Sequence, residues 1–85
     1  MIASRVREFI NEELLRGEDV VVQRDNDPLL EGILDSVGLL QLVAFVEEEF
    51  EIQIDDAEIV AENFSSAETI EKLVQRQVQS KAGRE

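Results

Sequence analysis

The chain has 85 residues, enough for one small domain that can bury only ~60–65% of the surface its unfolded form exposes. It contains neither Cys nor His, which removes disulfides, thiolate-bound zinc, and the commonest general base and metal ligand, so neither a catalytic residue nor a metal centre is expected. The formal charge of −12 is uneven: residues 25–71 hold 14 of the 20 acids and none of the eight bases, a field that repels nucleic acid and anionic membranes and favours basic partners.

The amino-terminal stretch "MIASRVREFINEELL" mixes apolar and charged residues and lacks the uninterrupted apolar run of a signal peptide. No apolar stretch is long enough to cross a bilayer, so a cytoplasmic location is expected. Ile2, Val6, Phe9, Ile10 and Leu14 recur at three- and four-residue spacing and predict a first helix ending near Gly17. A connector over residues 18–34 follows, with the only proline in "DNDP". Val20, Val21 and Val22 offer either a short strand or, since no partner run exists, a loop segment packed on the bundle. Leu29, Leu30, Ile33 and Leu34 make the second half of the connector too apolar to be freely solvated. Long ordered loops of this kind are often functional.

A second helix is expected from Asp35 and Ser36 to about Phe50, with Leu39, Leu42, Val43, Val46 and Phe50 on one face. Asp55 is placed to cap a short third helix, with Glu58 at capping-box spacing. Ser65 is placed to cap the last helix, whose Ile70, Leu73, Val74 and Val78 point inward. Lys72, Arg76 and Lys81 fall towards its carboxyl end, where the dipole favours cations. The expected fold is all-α: a small four-helix bundle of three longer helices and one short one, with a long ordered loop between helices one and two. Residues 1–80 form the domain, residues 81–85 are expected to fray, and a monomer is expected.

Calcium chemistry fails on spacing. Asp25 and Asp27 would open an EF-hand loop, but Leu29 takes a ligand position and Leu30 the glycine position, while Asp55 is followed by Ala57 and Ile59. Four scattered glycines cannot cradle a phosphate. Among the hydroxyls, Ser36 has a singular setting at the start of a helix beside Asp35. A phosphate there would meet unpaired backbone N–H groups and the positive end of the dipole. Taken alone, the dipeptide is an ordinary helix cap.

The surroundings add to it. "DPLLEGILDSVGLLQLVAFVEEEFEIQI" resembles the core signature of acyl and peptidyl carrier proteins, in which an Asp-Ser pair and an apolar residue open helix two and acids, Phe and an "I-x-I" turn close it. The resemblance continues through "DDAEIVAENFSSAETIEKLV" and covers nearly the whole chain. It implies a non-catalytic, stand-alone carrier in which Ser36 is the attachment site of 4′-phosphopantetheine and Asp35 the preceding acid. A phosphopantetheinyl transferase would move the group from coenzyme A to the Ser36 hydroxyl, leaving a phosphodiester and the thiol that the chain itself lacks. Intermediates would then travel as thioesters between loading, condensing or transferring enzymes with basic docking surfaces.

Glu47, Glu48 and Glu49 sit where the helix dipole is negative, and exposed acids there cost ~0.3–1 kcal/mol each, which suits either a docking surface or a plain solvated end. Val37, Leu40, Gln41 and Ala44 lie off the centre of the core stripe and offer a docking patch, although Leu40 fits a wide core equally. Gly38 and Gln41 depart from the fatty-acid-synthesis version of the family, where acids are common at these positions. The resemblance therefore points to polyketide or related specialised biosynthesis, with aminoacyl or peptidyl cargo and housekeeping fatty-acid synthesis as alternatives. A reading from another class is an unmodified acidic helical adaptor for a basic protein.

Overall fold

A computed structural model describes residues 2–17 and 21–83, with side chains through residue 79. The first helix, α1 (Ile2–Phe9), buries Ala3 and Val6 and then widens into a π-helical turn, Ile10–Leu14, closed by Leu15 N–H donating to the Ile10 carbonyl at 2.8 Å. α2 spans Ser36–Glu49 and α3 spans Ala67–Gly83. Between them lie two 3-10 turns, Asp56–Glu58 and Ala61–Phe64. No strand occurs among the described residues.

One apolar cluster joins these elements. Val6, Ile10, Leu42, Val46, Phe64, Ile70, Leu73 and Val74 are fully buried, and α1 packs chiefly on α3. Each such side chain contributes roughly 1.5–3 kcal/mol of burial, so a domain this small depends on nearly all of them. At the other flank, the Phe9 and Phe45 rings stack at 4.1 Å and Phe50 meets Phe45 edge-on at 6.5 Å. Arg5 lies 5.4 Å above Phe45 and binds Glu8 and Glu49, which fixes α1 against the end of α2.

The short third helix expected at Asp55 is replaced by the two 3-10 turns. Asp55 makes no side-chain cap bond, and Glu58 lies 3.6 Å from Arg76 of α3 instead of reaching back along its own turn. Asn63 then donates through its side chain to the Glu58 carbonyl at 2.7 Å, closing the segment by a route other than helix. The cap of α3 is Ser66, not Ser65: the Ser66 hydroxyl accepts from Thr69 N–H at 3.2 Å, while the Thr69 hydroxyl accepts from Ser66 N–H at 3.1 Å. Val78, expected inward, is 45% exposed. Of the residues 81–85 expected to fray, 81–83 belong to the backbone of α3 and 84–85 lie outside the described residues.

The connector is ordered by specific bonds. The Asn11 side chain both donates to the Val22 carbonyl (2.9 Å) and accepts from Val22 N–H (2.8 Å), which seats Val22 in the core while Val21 stays exposed. Val20 lies outside the described residues. Further on, Leu29 N–H donates to the Ser65 carbonyl and Glu68 N–H to the Asp25 carbonyl, each at 2.8 Å, so the loop closes over the start of α3. Arg7 pairs with Asp25 at 2.7 Å.

Asp27 accepts from the N–H groups of Arg24 and Gln23, each at 3.0 Å, and these bonds, Arg24's first, hold its carboxyl below the ordinary aspartate range. The stabilisation is therefore present above the unfolded value of ~3.9 and is lost as pH falls through the lower folded value. Carbon-detected titration is expected to place the Asp27 midpoint below that of an aspartyl peptide, with the Gln23 and Arg24 amide shifts following the same midpoint. A midpoint at the peptide value would remove these bonds from the account of loop order.

Candidate functional site

α2 opens with a residue in extended conformation, Asp35, whose carboxylate accepts from Gly38 N–H at 2.7 Å; Leu39 N–H donates to the Asp35 carbonyl at 2.9 Å. Asp35 is thus the cap, and Ser36 is the first residue of the helix proper. The N–H groups of Ser36 and Val37 fall in the first turn, where an α-helix supplies no carbonyl partner. The Ser36 residue is exposed and its hydroxyl has no side-chain partner. An exposed hydroxyl beside free N–H donors and the positive dipole end suits a phosphoester. The Asp35 carboxylate, committed to Gly38 N–H, is a positioning group for this turn.

Beside Ser36 lies an open groove of ≈390 Å³, lined by Leu14, by Gly32, Ile33 and Leu34 of the connector, and by Asp35, Val37, Gly38 and Gln41. The second half of the connector is a tight turn: Leu34 N–H donates to the Leu29 carbonyl at 2.8 Å, and Gly32 takes φ +94°, a conformation that side chains disfavour. Gly38 forms part of the inner wall. A Cβ there would meet Asp35 Oδ1 at 3.2 Å and Leu34 Cδ2 at 3.5 Å, so a side chain would press on the cap. The residues present fit a phosphopantetheine group: a free hydroxyl for the ester and an adjoining recess of mixed polarity.

All the expected docking residues except Glu47 fall on one face. At 100° per residue, Val37, Leu40, Gln41, Ala44 and Glu48 occupy an arc of roughly 100°, opposite the buried Leu42, Val43 and Val46. Val37 and Leu40 are each 63% exposed, and Gln41, Ala44 and Glu48 are exposed as well. Leu40 is therefore surface, not core. Glu47 stands apart: half-buried, its carboxylate accepts from Ile54 N–H at 2.9 Å, and its carbonyl accepts from Ile52 N–H at 3.1 Å. These bonds end α2 with Glu51 in the left-handed region (φ 53°) and direct Ile52 and Ile54 inward. Glu49 pairs with Arg5 at 3.2 Å, and the bond holds the Arg5 guanidinium above its ordinary pKa. Glu48 and Glu49 are both exposed, but of the three consecutive acids Glu48 alone makes neither a hydrogen bond nor an ion pair through its side chain.

Leu14 and the turn around Gly32 were not legible as parts of a site. The glycine in "LLEGILDS" was the available signal.

Two comparisons bear on this arrangement. The family described as "Phosphopantetheine attachment site" matches residues 4–76. The chain is also similar to "Aminoacyl carrier protein 1" of Bradyrhizobium diazoefficiens, with 44% identity over 46 residues, which is 54% of this chain and 51% of that protein. The match thus spans about half the length of that curated relative. No helix among the described residues is long and apolar enough to cross a membrane.

Proposed function

Because this chain belongs to the phosphopantetheine attachment-site family, whose members are non-catalytic carriers of covalently bound 4′-phosphopantetheine, we propose that Ser36 is the residue that bears the group. The observation that carries this is the exposed Ser36 hydroxyl at the first position of α2, with Asp35 rather than Ser36 acting as the cap. Under a transferase, the Ser36 oxygen loses its proton and bonds to the phosphorus of the pantetheine phosphate of coenzyme A, and the adenosine bisphosphate portion leaves. When bound, the group supplies a terminal thiol for thioester chemistry. The chain's own residues do the rest: Asp35 fixes the turn, the first-turn N–H groups face the phosphate, and the α2 face from Val37 to Glu48 meets partner enzymes.

The cargo we assign is aminoacyl, held as a thioester and passed between cytoplasmic enzymes. The similarity to an aminoacyl carrier protein supports it, while the lack of acid at Gly38 and Gln41 argues only against housekeeping fatty-acid synthesis. Acyl cargo of polyketide or related specialised biosynthesis is the second reading, favoured by the same two positions. Intact-mass measurement of the protein from its native host, with the thioester preserved, is the test. A mass increase of phosphopantetheine plus an amino acid is expected. An acyl increment would give the second reading, and an unmodified protein that also resists a broad-specificity transferase with coenzyme A would sink the carrier role.

A further inference from the structure

Arg5 is a base set into an acidic surface. Residues 25–71 hold 14 acids and no base, yet from α1 the Arg5 guanidinium reaches the closing turn of α2, where its Nε donates to Glu49 Oε2 at 3.2 Å. Glu49 follows Glu48 directly and stands ~100° further round α2, on the side turned to α1. Both members of the pair are open to water, each side chain keeping more than a third of its surface in solvent. So exposed an ion pair is weak, because water screens it and two long side chains must hold one geometry. Nor is Glu49 the sole anchor of Arg5. The guanidinium also pairs with Glu8, about one turn on in α1, and lies 5.4 Å above the Phe45 ring, itself stacked on Phe9 at 4.1 Å. Release of Glu49 therefore leaves Arg5 seated and this flank packed.

We propose that Arg5 masks a docking acid: it occupies the Glu49 carboxylate in the free protein and yields it to a basic side chain of a partner enzyme seated on the α2 face. The inference rests on the docking reading above. Glu48 draws the partner in, and Glu49 becomes a second contact only after exchange. A partner with a single base at this end meets Arg5 as a like charge. A partner with two bases satisfies Glu48 and takes Glu49 as well. Arg5 thus selects for paired bases on the partner, a discrimination that the acidity of the surface alone does not supply.

The test is the rate at which a broad-specificity transferase with coenzyme A loads the full chain at several salt concentrations, with a melt of each variant. Arg5→Gln uncovers Glu49 and is expected to load roughly two- to fivefold faster than wild type at low salt, the gap closing as salt rises. Glu49→Ala leaves Arg5 without that acid and is expected to load more slowly, while the double variant returns close to the wild-type rate. Lys72→Gln removes the same charge from an exposed position on α3 and is expected to change the rate less. On addition of the transferase, the Arg5 Nε–H resonance of the wild type is expected to move towards its position in Glu49→Ala. Arg5→Gln no faster than wild type, a gain matched by Lys72→Gln, or a double variant as fast as Arg5→Gln would each overturn masking while leaving docking intact. Equal low-salt rates for Glu48→Lys and wild type would instead refute docking, and masking with it.

Discussion

Ser36→Ala is expected to take up no phosphopantetheine while melting at nearly the temperature of the wild type. The loss should be complete, because the substitution removes the only oxygen positioned at this turn for esterification. The small effect on stability follows from the division of labour in the first turn. The cap is Asp35, whose carboxylate holds Gly38 N–H at 2.7 Å, and alanine at the next position is a good helix former. An exposed change of this kind normally stays within ~0.5 kcal/mol. Asp35→Ala should behave in the opposite way: it removes the cap, costs ~0.5–2 kcal/mol, and frays the turn that presents the hydroxyl. Asp35→Asn keeps an acceptor and should recover most of that stability. Intact mass after treatment with transferase and coenzyme A, alongside a thermal melt of each variant, checks both halves. Modification persisting in Ser36→Ala would move the attachment site elsewhere.

Much of this was legible from periodicity. The inward residues of α1 and α2 and the Asp35–Ser36 start follow from spacing and cap chemistry, while Ile52 and Ile54 were legible only through the family resemblance. What escaped depended on choices between equivalent residues. Ser65 and Ser66 are both good caps, and only Ser66 stands three residues before Thr69, whose hydroxyl returns the bond. Asp55 and Glu58 match a capping box, yet Arg76 of α3 draws Glu58 away, a contact set by tertiary packing. The order of the connector rests on Asn11, a polar residue in an otherwise regular helical stretch. Its side chain serves Val22 from within the widened turn that begins at Ile10, and no local rule announces such a widening. The groove was hidden for the same reason, being assembled from three segments.

The acids closing α2 are three identical letters with three different jobs, and this shapes the second large effect. Glu47 is tied to Ile54 N–H and Glu49 to Arg5, so Glu48 is the one whose charge is left to solvent beside the exposed Val37, Leu40 and Ala44, the face we propose for docking. Glu48→Lys is expected to slow loading or transfer by the native partner enzyme several-fold at low salt, through a slower association rate and without loss of helix content. The difference should shrink as ionic strength approaches ~1 M, where the screening length falls to ~3 Å. Leu40→Ala should give a defect that persists at high salt, since it removes apolar contact instead of charge. Glu47→Lys mixes two effects: it reverses a charge and leaves Ile54 N–H without its acceptor, so its melting temperature should fall. Glu47→Gln retains an oxygen acceptor and separates the two. The measurement is transfer rate against salt for each variant, paired with a melt. Equal rates for wild type and Glu48→Lys at low salt would remove this acid from the docking surface. A Leu40→Ala defect that vanishes with salt would show that the apolar face contributes no contact of its own.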